Sequence, residues 1–172
     1  MSWFRTFAPL FVVLLIGACG FRSLYGTDAT RDATGDLATI EINPIADRLG
    51  QQLRNKLLDL LNPRGHPANP RYFLTVHLDQ STQRLAIEKD AFATRANFRL
   101  GANFSLQDPE SREIVLSGKS LMVSSYNILD SEFATLMAEK DAKARAAREI
   151  AHDIRTRLAA FFVRQGGGEE SR

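Results

Sequence analysis

From residue 92 to residue 107 the chain alternates without a break. Phe92, Thr94, Ala96, Phe98, Leu100, Ala102, Phe104 and Leu106 hold the even positions, and Ala93, Arg95, Asn97, Arg99, Gly101, Asn103, Ser105 and Gln107 hold the odd ones. Successive side chains of a strand point to opposite sides. A run this long therefore predicts one extended strand with a dry face and a wet face. The dry face must be covered by a second layer, while the wet face can remain in water or meet a partner.

The neighbouring segments supply the rest of that layer and its cover. Asp108-Pro109-Glu110-Ser111 is a turn, and residues 114–126 read as the returning strand of a hairpin, with weaker alternation and a glycine at 118. Residues 71–80 alternate too, with Tyr72, Leu74, Val76 and Leu78 against Phe73, Thr75, His77 and Asp79. Residues 37–42 predict a short strand with Ile40 and Ile42 on one face. Asn43-Pro44 is a helix-start signal, with asparagine as the cap and proline at the first helical position. Ile45, Leu49, Leu53, Leu57 and Leu61 then follow at steps of four, opposite Arg48, Gln51, Gln52, Arg54, Asn55 and Asp59. A second helix is predicted over about 131–162, capped by Asp130 or Ser131. Its stripe runs through Phe133, Met137, Ala144, Ala147, Ala151, Ile154, Leu158 and Phe161, with Lys140 its one polar member. The order β-α-β-β-β-α predicts an α+β two-layer fold: a mostly antiparallel or mixed four-stranded sheet with two helices on one face.

Composition limits what such a domain can do. At 172 residues, 44% hydrophobic and 24% charged, the chain suits one globular domain. It is neither wholly disordered, collagen-like nor a polytopic membrane protein. A formal charge of +2 gives no argument for DNA binding. The single cysteine excludes an intramolecular disulfide framework and a cysteine-rich zinc site. It stands at position 19, after Arg5, an apolar run from Phe7 to Ile16 interrupted only by Pro9, and the small residues Gly17 and Ala18. This is the shape of a secretory signal, and the run is too short for a bilayer span, which takes roughly 20 residues. Ile16-Gly17-Ala18-Cys19 is similar to the bacterial lipobox. The similarity implies thioether acylation of Cys19, cleavage before it, and acylation of the new amino terminus. Glycine rather than aspartate at position 20 favours the outer membrane, by analogy with sorting in Gram-negative bacteria. Each buried methylene contributes about 0.8 kcal/mol, so three acyl chains hold the protein where one does not. The expected organisation is a signal peptide at 1–18, the acylated cysteine and a polar tether at 19–36, a folded domain at 37–164, and a disordered glycine-containing tail at 165–172.

Motifs for bond-breaking chemistry are missing from the sequence. His66, His77 and His152 have no metal-ligand spacing, and neither a nucleophile elbow nor a zincin motif occurs. Ser117-Gly118-Lys119-Ser120 mimics the end of a P-loop, but Glu113 stands where its first glycine belongs. No enzyme activity, metal or cofactor is expected. Arg95 and Arg99 lie two strand positions apart on the wet face, among Asn97, Asn103 and Gln107. They read either as an anion-binding surface for phosphate or sugar or as an ordinary solvated face. Lys140 has a comparable alternative as a snorkelling lysine at the edge of the core.

Several segments together resemble the LptE family of lipopolysaccharide-assembly lipoproteins. They are Cys19-Gly20-Phe21-Arg22-Ser23-Leu24-Tyr25-Gly26, the first helix with Asp47-Arg48-Leu49-Gly50-Gln51-Gln52-Leu53-Arg54-Asn55, the strand Ala96-Asn97-Phe98-Arg99-Leu100, and Phe133-Ala134 with Ala138-Glu139-Lys140-Asp141-Ala142. The resemblance covers about 19–162 and departs at Ser23, where proline is common among similar sequences. It implies a sheet with two helices on one face. It also implies residence in the lumen of a large outer-membrane β-barrel, the lipopolysaccharide translocon LptD, as plug and assembly partner. Lipopolysaccharide binding without catalysis would follow. The family's lipopolysaccharide-contacting basic residues match Lys89 and Lys140 here, and Arg95 and Arg99 would join them at the lipid phosphates. The runner-up is an auxiliary lipoprotein of a phospholipid-transport ABC system, which would have no barrel partner.

Overall fold

The computed structural model describes residues 35–85 and 95–169. Cys19, the signal and tether, Lys89 and the start of the alternating run at Phe92 lie outside the described residues. The elements are β1 (Ile40–Ile42), α1 (Asp47–Leu61), β2 (Tyr72–Leu85), β3 (Arg95–Gln107), β4 (Ile114–Asn127) and α2 (Glu132–Glu169), with a single helical turn at 35–37 ahead of β1. The strands lie side by side in the order β1-β2-β3-β4. The β1–β2 pair, joined through α1, is parallel, and the other two pairs are antiparallel. The fold is thus the α+β β-α-β-β-β-α domain with a mixed four-stranded sheet.

The dry face of β3 carries the core. Ala96, Phe98, Leu100, Ala102, Phe104 and Leu106 are all buried. Leu74 and Val76 from β2, and Ile40 and Ile42 from β1, continue the surface. Both helices rest on it: α1 through Leu49, Leu53, Leu57 and Leu61, and α2 through Ala142, Ala146, Ala147, Ile150, Ala151, Ile154, Leu158 and Phe162. On β4, three of the positions on the helix-covered face are small, between larger Leu116, Met122 and Tyr126. Gly118 pairs with Phe104, Ser120 with Ala102 and Ser124 with Phe98. A Cβ at Gly118 would stand 2.6 Å from the Phe104 ring, so this glycine is the space the ring occupies.

Polar contacts fix α2 against β4. Arg145 pairs with Asp141 and donates to the Ser124 hydroxyl at 3.2 Å and the Ser125 carbonyl at 3.3 Å. About two helical turns further on, Asp153 accepts from Arg157 Nε at 3.0 Å. Burial pushes the Asp153 carboxyl up, but hydrogen bonds from Ser120 and Arg157, with the Arg157 charge, outweigh it and hold the pKa below the ordinary aspartate value.

The structure departs from the sequence expectations at several element ends. Asn43 does not cap α1. Its backbone N–H donates to the Leu74 carbonyl at 3.0 Å and its side-chain amide to Thr75 Oγ1 at 2.9 Å, so the parallel ladder uses it first. The helix starts later, at Asp47, with Ala46 as an N-cap that makes no side-chain bond. Ile45 folds back over Gly50, where a Cβ would come within 2.7 Å of Ile45 Cγ2. The residue before the cap thus lies over the fourth helical position, where the missing side chain leaves it room. Leu37 to Thr39 are not strand. Backbone bonds from Ala38 to Gly35 and from Thr39 to Asp36 close a turn there, although Leu37 is buried in the core. β2 continues past Gln80 to Leu85 on an unbroken ladder to β3.

The second helix differs most. Its buried stripe begins at Ala142, while Phe133 is 71% exposed and Met137 46%. Lys140 is exposed and stands off the buried stripe. The end of the stripe is Phe162 rather than Phe161, which is only partly buried. Lys143 lies over the Phe98 ring. At 1.5 Å per residue, Phe133 is about 15 Å further along the helix, whereas β3 continues only about 10 Å from Phe98 to its described end at Arg95. The first turns of α2 therefore overhang the described sheet. At its other end α2 runs to Glu169, so residues 165–169 of the expected disordered tail are helical, and 170–172 lie outside the described residues. Ser131 does cap the start, accepting from the Ala134 N–H at 3.4 Å.

Two stability measurements follow. Gly118→Val should lower the denaturant-derived stability by about 2 kcal/mol through overpacking, and Phe104→Leu in the same chain should return part of the loss. A purely additive pair would break the link between these two residues. Asp153 has a folded pKa below its unfolded value, so its contribution is present above that unfolded value, about 3.9, and is lost as pH falls through the lower folded pKa. Asp153→Asn should be less stable than the parent at neutral pH and should lose stability less steeply below about pH 4 in urea titrations.

Candidate functional site

The sheet has two unlike surfaces, and the cations expected to act together are divided between them. Arg95 and Arg99 are exposed on the open face of β3. Arg99 pairs across the ladder with Ser81 and Val123, and Arg95 with Leu85 and Asn127. Their polar neighbours are already engaged: Ser125 donates to Asn97 Oδ1 at 2.7 Å, and Asn103 donates to Asp79 at 3.1 Å. Lys140 lies on α2, on the opposite side of the sheet. The structure thus separates Arg95 and Arg99 from Lys140. It brings Lys140 instead to residues that the sequence reading had placed only on a polar helix face.

The site is a cleft of about 470 Å³ between the starts of the two helices. One wall is the first turns of α1, with Asp47, Arg48, Leu49 and Gln52. The other is α2, with Leu136, Glu139, Lys140 and Lys143. Gln80 of β2 closes the base. Helical spacing puts these groups together, since residues three and four apart share a face: Arg48 with Gln52, and Leu136, Glu139, Lys140 and Lys143. Asp47 adopts a left-handed φ of 66°, a conformation that aspartate and asparagine tolerate better than most residues.

The charges in the cleft are not equivalent. Lys143 Nζ lies 2.6 Å from Glu139 Oε1 and 5.6 Å from the centroid of the Phe98 ring, so it is held as an ion pair over an aromatic floor. Beside it, burial and then the Glu139 carboxylate push the Tyr126 phenol above its ordinary pKa, against smaller opposing effects of Lys143 and Arg84. Arg48 and Lys140 form no ion pair among the described residues. Exposed Leu136 lines the cleft itself, and exposed Phe133 and Met137 lie within about two helical turns before Lys140. Unpaired cations thus stand next to uncovered hydrocarbon, and an anionic amphiphile can meet both at once.

Elsewhere, His66 Nδ1 contacts Glu41 at 3.4 Å, and His77 and His152 are exposed. Among the described residues no three histidine, cysteine, aspartate or glutamate side chains are placed to hold a metal, and no helix is long and apolar enough to cross a membrane.

Fold and cleft define a two-layer α+β domain with a charged cleft at one end of the sheet. The same architecture occurs in a lipoprotein candidate from Caulobacter crescentus CB15, at a TM-score of 0.62 and 28% identity, covering 77% of this chain and 97% of that one. It recurs in the rare lipoprotein B of Shewanella oneidensis, at a TM-score of 0.58 and 11% identity, covering 74% and 98%. An uncharacterized protein of Rickettsia prowazekii (strain Madrid E) is 29% identical over 159 residues, spanning 91% of this chain and 98% of its own. The sequence model of the family described as LptE, lipopolysaccharide-assembly, matches residues 37–158, well over half of the chain. The protein belongs to the LptE lipopolysaccharide-assembly family.

Proposed function

We propose that the protein is an outer-membrane lipoprotein, acylated at Cys19 and facing the periplasm, that binds lipopolysaccharide. It works with a large β-barrel of the LptD type to bring that glycolipid to the outer leaflet. Its work is to bind and assemble, not to break bonds. One observation carries the reading: Lys140, free of any ion pair among the described residues, borders exposed Phe133, Leu136 and Met137. Lipid A offers phosphates and acyl chains in the same short span. Lys89, between β2 and β3 in the sequence and outside the described residues, is a further lipopolysaccharide-contacting candidate, and Arg95 and Arg99 add positive charge on the far face. Charge-assisted hydrogen bonds to phosphate contribute about 1.5–3 kcal/mol each.

The plug role rests on the other surface. The open face is rich in Thr75, Ser81, Gln83, Asn97, Asn103, Ser105, Ser117 and Ser125, and barrel interiors are polar. These hydroxyls and amides supply donors and acceptors to such a wall, beside exposed Leu121 and Val123 on the same face.

A Lys89→Glu, Lys140→Glu double variant should bind lipopolysaccharide at least about tenfold more weakly and still co-purify with the barrel in detergent. Unchanged lipopolysaccharide binding would remove both lysines from the site. Cys19→Ser should abolish acylation seen by mass spectrometry of the intact protein and release it from the membrane fraction. A membrane-bound, unacylated variant would contradict the anchor.

A further inference from the structure

The cleft has more structure than the reading based on Lys140 uses. Once Lys143 is neutralised by Glu139, three charged groups remain on its walls: Arg48, Lys140 and, opposing them, Asp47. The two cations come from different helices and converge on one space. A guanidinium offers a planar fork and an ammonium a compact point charge, and together they suit a tetrahedral phosphate better than either alone. Gln52 and Gln80 supply amide donors and acceptors between them, which is what the hydroxyls of a sugar require and an aliphatic chain does not. A volume of about 470 Å³ falls within the roughly 300–1,000 Å³ of small-molecule clefts. It takes one headgroup unit but not the several acyl chains of a glycolipid.

We propose that this cleft seats a single phosphorylated sugar unit, its phosphate held between Arg48 and Lys140, with Asp47 limiting how tightly it is held. The inference rests on the reading of the protein as a lipopolysaccharide-binding lipoprotein and adds three things to it: Arg48 as the second cation, Asp47 as a built-in weakening charge, and a division of labour within the ligand. The sugar phosphate enters the cleft, and the acyl chains stay outside along Phe133 and Met137, both exposed and about one to two helical turns before Lys140. A weakening carboxylate suits a protein that must pass its ligand on.

The test uses the full chain in detergent, titrated with three probes. Diphosphoryl lipid A has phosphate, sugar and acyl chains. Glucosamine 1-phosphate has the first two. Phosphatidic acid, presented in mixed micelles, has phosphate and acyl chains but no sugar. Asp47→Asn should tighten binding of lipid A and glucosamine 1-phosphate about threefold, a gain that no folding defect imitates, and asparagine keeps the left-handed backbone at that position. Arg48→Gln should weaken both about tenfold without lowering the melting temperature. Phe133→Ser should weaken lipid A alone.

If Asp47→Asn and Arg48→Gln change nothing while Lys140→Glu abolishes lipid A binding, the cleft assignment is wrong and the broader reading stands. Phosphatidic acid bound as tightly as lipid A would overturn the sugar specificity. Loss of barrel co-purification in Arg48→Gln, with lipid A affinity intact, would assign the cleft to the partner protein instead. Failure of the parent chain to bind lipid A would overturn both readings.

Discussion

Six consecutive even-numbered residues of β3, Ala96 to Leu106, are all shielded from solvent, and the position of every other element follows from how they are shielded. Full burial of a leucine or phenylalanine contributes about 1.5–3 kcal/mol, so leaving this face open would be untenable for a domain of ordinary stability. The cover is a helix whose contact surface is mostly alanine in its middle and larger at its end, Ala142 to Ala151 and then Ile154, Leu158 and Phe162. Small residues allow the helix axis to come close to the sheet. The same closeness explains β4, where glycine and serine replace larger residues opposite Phe104, Ala102 and Phe98. At Phe104 and Phe98 bulk is supplied by β3 and removed from the facing position of β4.

Covering one face with both helices leaves the other to mostly polar side chains, with Leu121 and Val123 exposed among them, and it also creates the cleft. The parallel ladder between β1 and β2 continues to Asn43, which donates to Leu74. This postpones the start of α1 to Asp47 and places Arg48 in its first turn. On the other side α2 begins beyond the described end of the sheet, so that Leu136 and Lys140 face α1 across a gap instead of packing on strands. Neither helix end can close the gap, because each is fixed by contacts elsewhere: α1 by Ile45 over Gly50, and α2 by Arg145 and Asp153 on β4.

How legible this was in the sequence depended on whether local pattern or distant pairing decided the matter. β3 and the body of α1 were legible because each buries a complete face, and burial writes its period into the residues. The far half of β2 was not, since Gln80 to Arg84 are polar on both sides and the strand exists there only because β3 offers a ladder partner. Phe133 and Met137 share a helical face with later core residues, but periodicity reports which face a residue is on and not whether the sheet reaches it. Asn43-Pro44 carried a genuine helix-start signal that lost to a backbone bond made to a strand thirty residues away. For the site, Lys140 was visible as the one charge on an apolar stripe. Arg48, Gln52 and Gln80 were not, because nothing local relates three polar residues on different elements until the helices are placed.

The electrostatics of the cleft then constrain what kind of ligand it can hold. Arg48 and Lys140 are solvent-exposed, and exposed charges are screened over about 8–10 Å at physiological salt, with isolated pairs at such positions contributing about 0–1 kcal/mol. A free inorganic anion would therefore be held weakly. Hydrocarbon alone would also be held weakly, because Phe133, Leu136 and Met137 form a narrow strip and not an enclosed pocket. Affinity arises only when one molecule presents anionic and apolar parts close enough to touch both surfaces together, so that the second contact is made without a second loss of translational freedom. The geometry thereby selects an amphiphile over either of its halves. It also keeps each half-contact weak enough to release.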